Sequence, residues 1–268
     1  MTDRYAVVGN PVAHSLSPTI HAEFARVTGE DLTYGTLEAP IDGFARAADR
    51  FLASGRGLNV TVPFKLDAWR WVDRHDDYAA AAGAVNTIVP TEDGWLGCNT
   101  DGVGLVADLT EHLRWQVAGA RTLILGAGGA VQGVVGALSE AGAEDVAIAN
   151  RTVAKAQALA DRFGVRACSL DEVGGGWDLI VNGTSAGLAG TGGLIAGDAV
   201  AGGRCYDMFY TRDGATPFCT WAKAQGARAV ADGLGMLVEQ AAQAFYLWRG
   251  VRPDTASVLA LIRGGGPS

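Results

Sequence analysis

Cysteine and histidine are scarce in this chain, four of each among 268 residues, and neither forms a ligand set. Cys98, Cys168, Cys205 and Cys219 lack the spacing of a metal site, and a chain of this length needs no disulfide framework to fold. They are expected to be small core residues. His14, His21, His75 and His112 fall into no metal-binding pattern either. Basic charge is also short: 21 Lys and Arg stand against 29 Asp and Glu, a net charge of −8. That balance argues against sequence-independent binding to nucleic acid or anionic membranes, and the basic residues are scattered rather than gathered into an arm. No apolar run is long enough to span a bilayer. Met1-Thr2-Asp3-Arg4 leads straight into a strand-like run rather than a signal peptide, and no repeats are visible. What remains is the profile of a soluble cytoplasmic enzyme, with room for one large domain or two of ordinary size.

Glycine, by contrast, is plentiful, with 38 residues, and one cluster is placed for chemistry. Thr122-Leu123-Ile124-Leu125 is a short apolar run ending in Gly126-Ala127-Gly128-Gly129-Ala130-Val131-Gln132-Gly133, and the alanine-rich segment through Ala141 reads as a helix. Strand, glycine turn, helix is how a backbone approaches a pyrophosphate. The strict G-x-G-x-x-G spacing wants a glycine at Val131, and the third comes late, at Gly133; the glycines alone fit any tight turn equally well. The next run, Val146-Ala147-Ile148-Ala149, supplies the second strand of a βαβ unit. It ends in Asn150-Arg151-Thr152, with Lys155 one turn on. NAD sites usually offer an acid here for the ribose 2′-hydroxyl, whereas an arginine accommodates a 2′-phosphate. With Arg151 in that place, NADP is expected rather than NAD.

Upstream, Tyr5 to Gly9 reads as a buried strand that runs into a loop, and Ser17-Pro18 looks like an N-cap followed by proline at the first helical position. Ser15 sits just past a strand end, where open α/β sheets bind ligands. Ser17 reads at least as well as a plain cap. Leu58 to Val62 is a short strand with Asn59 and Thr61 on one face. Pro63 stops it, and Phe64-Lys65 turns into a helix. A lysine at such a junction is usually solvated; it matters only if an acid and a substrate lie close. Ala84 to Val89 pairs with Trp95 to Asn99 across a turn at Pro90 to Gly94. Asn86 interrupts that strand and needs partners if buried, while Asp101 reads first as a helix N-cap. Further on, Gly233-Leu234-Gly235 opens a long apolar-faced helix, Met236 to Trp248, and the tail from Gly264 reads as disordered.

Taken together, these motifs resemble the shikimate dehydrogenase family over nearly the whole chain. The resemblance rests on Gly9-Asn10-Pro11 with Ser15-Leu16-Ser17-Pro18, on Asn59-Val60-Thr61-Val62-Pro63-Phe64-Lys65, and on Gly83-Ala84-Val85-Asn86-Thr87. It continues through Asn99-Thr100-Asp101-Gly102, Gly126 to Ala130, Asn150-Arg151-Thr152, Tyr206-Asp207-Met208 and Asp232-Gly233-Leu234-Gly235-Met236-Leu237. The family implies an α/β fold with an N-terminal α/β/α substrate domain, residues 1–101, and a Rossmann-like NADP-binding domain, residues 102–236. It also implies that C-terminal helices in 237–268 return to the first domain.

Carried over by motif, Ser15 and Ser17 would hold the substrate carboxylate, helped by Tyr210. Thr61, Lys65, Asn86, Asp101 and Gln240 would contact ring hydroxyls. A small polyhydroxylated acid calls for many short polar side chains, and successive strand ends of the first half supply them. Gly126, Ala127, Gly128, Gly129 and Ala130 would line the pyrophosphate. Asn150, Arg151, Thr152 and Lys155 would take the 2′-phosphate and adenosine, with Met208 and Gly233 along the nicotinamide. The family pattern also points to Asp77, which beside Asp76 reads more simply as part of a solvated face. Gln132 and Lys155 depart from relatives that carry arginine; at Lys155 the bidentate fork is lost and the charge kept.

The implied reaction is reversible hydride transfer between NADPH and the C3 carbonyl of 3-dehydroshikimate, giving shikimate, with Lys65 as general acid and base and Asp101 orienting it. Two other readings stay open: a quinate/shikimate dehydrogenase using NAD, and a non-catalytic NADP-binding sensor. A homodimer would be in keeping with general practice among such enzymes.

Overall fold

The apolar runs of the two halves build two six-stranded sheets. The computed structural model describes residues 2–184, 193–211 and 214–264; Ser185 to Gly187, which follow the strand ending at Asn182, and the tail beyond Gly264 lie outside them. The first half comprises β1 (Asp3–Gly9), α1 (Ser17–Thr28), β2 (Leu32–Glu38), α2 (Phe44–Leu52), β3 (Gly57–Val60), α3 (Lys65–Trp71), β4 (Arg74–His75), α4 (Asp77–Ala82), β5 (Thr87–Thr91) and β6 (Gly94–Cys98). Its sheet runs β2-β1-β3-β5-β6-β4. The strands are parallel on both sides of β1 and antiparallel where β5 meets β3 and β6. Residues Tyr5 to Gly9 are all buried, as a continuous apolar strand covered on both faces should be. Pro90 lies not in the hairpin turn but within β5, opposite Trp95. It is tolerated there because β3 pairs only with Thr87 and Ile88, so no neighbouring strand misses its N–H.

The second half begins with α5 (Asp101–Ala107), which continues as one wider π-helical turn at Asp108–His112. Then follow β7 (Arg121–Leu125), α6 (Gly129–Gln132), α7 (Val135–Glu140), β8 (Glu144–Ala149), α8 (Val153–Phe163), β9 (Arg166–Cys168), β10 (Leu179–Asn182), β11 (Arg204–Asp207), α9 (Pro217–Ala224) and β12 (Ala229–Asp232). This sheet is parallel throughout, in the order β12-β11-β10-β7-β8-β9, the doubly wound arrangement of dinucleotide-binding folds.

One expected helix is broken. The segment from Gly129 to Ala141 divides at Gly133 and Val134 into α6 and α7. At the break the chain packs closely on α5. A Cβ on Gly133 would stand 3.0 Å from Asn99 Oδ1 and 3.2 Å from Asp101 Cβ, and one on Gly102 would stand 2.6 Å from the Gly133 carbonyl. The late third glycine therefore serves the contact with α5.

The last two helices, α10 (Leu234–Arg249) and α11 (Thr255–Arg263), return to the first half. Ile20 and Phe24 of α1 share one apolar cluster with Val238, Ala241, Phe245 and Val258. Trp248 covers Gly57, where any side chain would collide, and donates from Nε1 to the Ile88 carbonyl at 3.0 Å. Arg249 pairs with Asp3 and Glu30 at 2.5 Å each. Helices α5 and α10 also lie close: a Cβ on Gly104 would come 2.7 Å from Gln240 Cβ, and one on Gly235 would collide with Asp108.

Asp108 is buried in that contact and accepts a hydrogen bond from the Tyr206 hydroxyl at 2.6 Å. Burial pushes its carboxyl up to about 6 from an ordinary 3.8, with Tyr206 and His112 opposing the rise and Glu239 and Asp232 adding to it. Between those limits the folded chain binds the extra proton. The stability linked to it is complete below the unfolded value and is lost as the pH rises through about 6. Asp108→Asn, which does not titrate, should gain on the parent by up to about 3 kcal/mol from acid to neutral pH. Urea midpoints at both pH values measure this; a constant difference between the two proteins would contradict it.

Candidate active site

Residues at and just beyond the carboxyl ends of β1, β3, β7, β10, β11 and β12 line a cleft of about 880 Å³. Ser15, Ser17, Thr61, Lys65, Asn86, Asp101, Tyr210 and Gln240 all face it, as do Gly129, Ala130, Met208 and Gly233 from the second half. Gly126, Ala127 and Gly128 lie at the end of β7 outside this lining, and Asn150, Arg151, Thr152 and Lys155 at the neighbouring end of β8. Asp77 is exposed at the start of α4, away from the cleft. Asp76 beside it is not simply solvated: it caps α4, accepting from the Ala79 N–H at 2.6 Å.

At the centre of the cleft Lys65, the first residue of α3, donates from Nζ to Asp101 Oδ2 at 2.5 Å, with side chains 19 % and 8 % exposed. The solvated-lysine reading fails here because the turn after β3 aims this side chain back over the strand ends. Asp101 is not an N-cap. It is the first residue of α5, whose cap position is Thr100, and its carboxylate makes no cap bond. Both oxygens are instead engaged across the cleft, Oδ1 accepting from Asn86 Nδ2 at 2.9 Å. Asn86 in turn accepts at Oδ1 from the Thr100 N–H at 2.9 Å and the Thr87 hydroxyl at 3.0 Å. Its second amide hydrogen reaches Thr100 Oγ1 at 3.0 Å. A buried amide with this many partners fixes the carboxylate's orientation.

Ser17 does not cap α1 either; Leu16 holds that position, without a side-chain bond. Ser15 Oγ accepts from the Ser17 N–H at 3.2 Å, so both hydroxyls sit at the helix start beside the cleft. Tyr210 completes this end, its phenol raised by burial. Gln240 is steadied by donation to the Leu237 carbonyl at 2.8 Å. Asn59, noted in the sequence only as sharing a face with Thr61, also lines the cleft. The period-two alternation of β3 carried that signal.

The loop after β7 fits a dinucleotide. Gly126 takes a left-handed φ of +107°, and among the described residues nothing comes within 4 Å of where a side chain at Gly128 or Gly129 would begin. That leaves the backbone open to an approaching phosphate. The Gly126 N–H donates to the Ala149 carbonyl at 2.8 Å, which brings the end of β8 alongside. Arg151 and Lys155 are exposed there, and among the described residues neither forms an ion pair.

Comparison with known proteins agrees with this geometry. Three family models match: the shikimate dehydrogenase substrate binding domain over residues 7–88, the shikimate/quinate 5-dehydrogenase over 108–188, and the shikimate 5′-dehydrogenase C-terminal domain over 233–263. A protein of Alkalilimnicola ehrlichii named shikimate dehydrogenase (NADP(+)) is 51 % identical, covering 98 % of this chain and 99 % of its own. One of the same name from Aromatoleum aromaticum is 52 % identical, covering 97 % of each. Among solved structures, shikimate 5-dehydrogenase from Thermus thermophilus, in complex with NADP(H) and shikimate, superposes with a TM-score of 0.87. It is 36 % identical and covers 98 % of this chain and 99 % of that one.

Asn86→Ala would strip bonds from the Asp101 carboxylate, the Thr100 N–H and the Thr87 hydroxyl at once. A loss of about 3 kcal/mol in folding stability is expected, since buried polar groups left unpaired are costly. A denaturant midpoint equal to the parent's would show that the network is not what holds Asp101.

Proposed function

The chain belongs to the shikimate dehydrogenase family, and we propose that it interconverts 3-dehydroshikimate and shikimate with NADP, on the route to chorismate and the aromatic amino acids. The observation that carries this reading is the Lys65–Asp101 pair, held in a cleft ringed by short polar side chains and flanked by a glycine loop. In the assigned roles, Ser15 and Ser17 with Tyr210 hold the carboxylate, and Thr61, Asn86, Asp101 and Gln240 hold ring hydroxyls. Gly126, Ala127, Gly128, Gly129 and Ala130 take the pyrophosphate, and Asn150, Arg151, Thr152 and Lys155 the 2′-phosphate and adenosine. Met208 and Gly233 flank the nicotinamide. Asp77, exposed and off the cleft, has least support.

NADPH, when bound, supplies the hydride. Lys65 manages the accompanying proton. As an ammonium, Lys65 can pass a proton to the carbonyl oxygen during reduction. Asp101 Oδ2 keeps that ammonium in place, and Asn86 keeps Asp101 in place. In the oxidation direction Lys65 takes the proton back from the hydroxyl. The polar rim fixes the ring by several contacts at once, which is what alignment for transfer requires.

Residues 1–101 form the substrate unit in this reading, 102–236 the NADP unit, and 237–268 the returning helices. A cytoplasmic setting, in keeping with four free cysteines, belongs to the same reading, as does a homodimer.

The family description spans quinate as well as shikimate, which keeps a broader NAD-linked dehydrogenase as the second reading. A bare NADP sensor would have no use for the Lys65–Asp101 pair. An assay of cofactor reduction crossing shikimate and quinate with NADP⁺ and NAD⁺ separates them. Turnover confined to shikimate with NADP⁺ is the expected result. Comparable rates with quinate or NAD⁺ would favour the broader enzyme, and no turnover in any arm with NADP⁺ still bound would favour the sensor.

A further inference from the structure

Beside the carboxylate end of the cleft lies a buried side chain that the reaction does not use. His21 stands on α1, one turn beyond Ser17, and is fully buried. Among the described residues neither ring nitrogen has a hydrogen-bond partner. Burial pulls the imidazole down to about 3; the Asn59 side chain lies near enough to oppose that fall, but no bond of proper geometry reaches the ring. What His21 does make is a stack. Its ring lies 4.1 Å from that of Tyr34 on β2, with only 5° between the planes. Phe24, Phe245 and Trp248 close around it. A neutral ring packed in this way restricts how the phenol can tilt.

Tyr34 is only half-buried on its edge strand, yet burial around its hydroxyl raises the phenol well above its ordinary value. The Ser17 side chain lies near enough to oppose that rise. The phenol itself donates to Asn59 Oδ1 at 2.7 Å. Asn59 Nδ2 passes the connection to Thr87 Oγ1 at 3.0 Å, and Thr87 donates to Asn86 Oδ1 at 3.0 Å. One phenol on an edge strand thus holds a cleft-lining side chain on another element, Asn59 on β3.

We propose that Tyr34 is a positioning residue for the substrate, its hydroxyl fixing the Asn59 side chain in the wall of the cleft. The inference rests on the functional reading above. Tyr34 touches neither substrate nor cofactor in this scheme; it acts through Asn59, while His21 holds its ring. Its loss should therefore be felt in substrate binding far more than in the chemical step.

The test is Tyr34→Phe, which keeps the ring and its stack on His21 and removes the hydroxyl. With shikimate and NADP⁺, KM for shikimate should rise about tenfold while kcat stays within about twofold. The Kd for NADP⁺, read by fluorescence titration, should not change. In an Asn59→Ala background the same substitution should raise KM clearly less, because the group it acts through is gone. An unchanged KM, or an equal rise in both backgrounds, would overturn the inference; so would a parallel fall in kcat and in NADP⁺ binding, which marks a purely structural role. A parent that ignores shikimate would overturn the functional reading and this inference with it. A parent that turns shikimate over and a Tyr34→Phe variant that matches it would overturn this inference alone.

Discussion

A lysine ammonium and an aspartate carboxylate, 2.5 Å apart and largely shielded from water, are the pair on which the rest of the site depends. Taking two such charges out of water costs several kcal/mol per ion unless close geometry and further hydrogen bonds compensate. Here the compensation is visible. Asn86 donates to the second carboxylate oxygen, and the carboxylate sits at the first turn of α5, where the helix dipole favours negative charge. Lys65 opens α3 in the first half, and Asp101 opens the helix that leads into the second. The pair therefore ties the connector to the substrate sheet as well as presenting a proton.

The placement of that connector depends on glycines that act by what they lack. Gly102 and Gly133 let α5 touch the broken helix after β7, and Gly104 and Gly235 let it touch α10. A methyl group at Gly102, Gly104 or Gly235 would collide with a neighbour, and one at Gly133 would crowd Asn99 and Asp101. Gly128 and Gly129, with no neighbour at their Cβ positions among the described residues, lie on the open loop where a phosphate would approach. Packing glycines and binding glycines thus lie within a few residues of each other, which is why the G-x-G-x-x-G spacing looked imperfect at Gly133. The third glycine answers to α5 rather than to the cofactor.

Much of this was legible in the sequence. The β7 strand, its glycine turn and the basic end of β8 follow from apolar runs and residue types, and the parallel sheet follows from their alternation with helices. The polar strand ends at Ser15, Thr61 and Asn86 were visible as exceptions within apolar segments. What was not legible was set by contacts distant in the chain. Asp101 and Ser17 each look like helix caps from local chemistry. Only the fold shows Leu16 and Thr100 in the cap positions, leaving both side chains for the cleft. Lys65 looks solvated until Asp101, 36 residues on, is brought beside it. Tyr34 and His21 carry no motif at all, because a stacked ring and a phenol bonded to an amide 25 residues on leave no spacing to read. Pro90 read as a turn residue since nothing local says that β3 ends short of it.

The central claim is that Lys65 moves the proton and does not merely hold the substrate. The measurement that tests it most directly is the steady-state kinetics of Lys65→Met with shikimate and NADP⁺, which removes the ammonium and keeps much of the side chain's length. A positioned acid–base group contributes roughly 10²- to 10⁴-fold. The account predicts a loss of kcat in that range with KM for shikimate changed only a few-fold. A KM that rises steeply while kcat stays near the parent's would show that Lys65 binds the substrate and leaves the proton to another group.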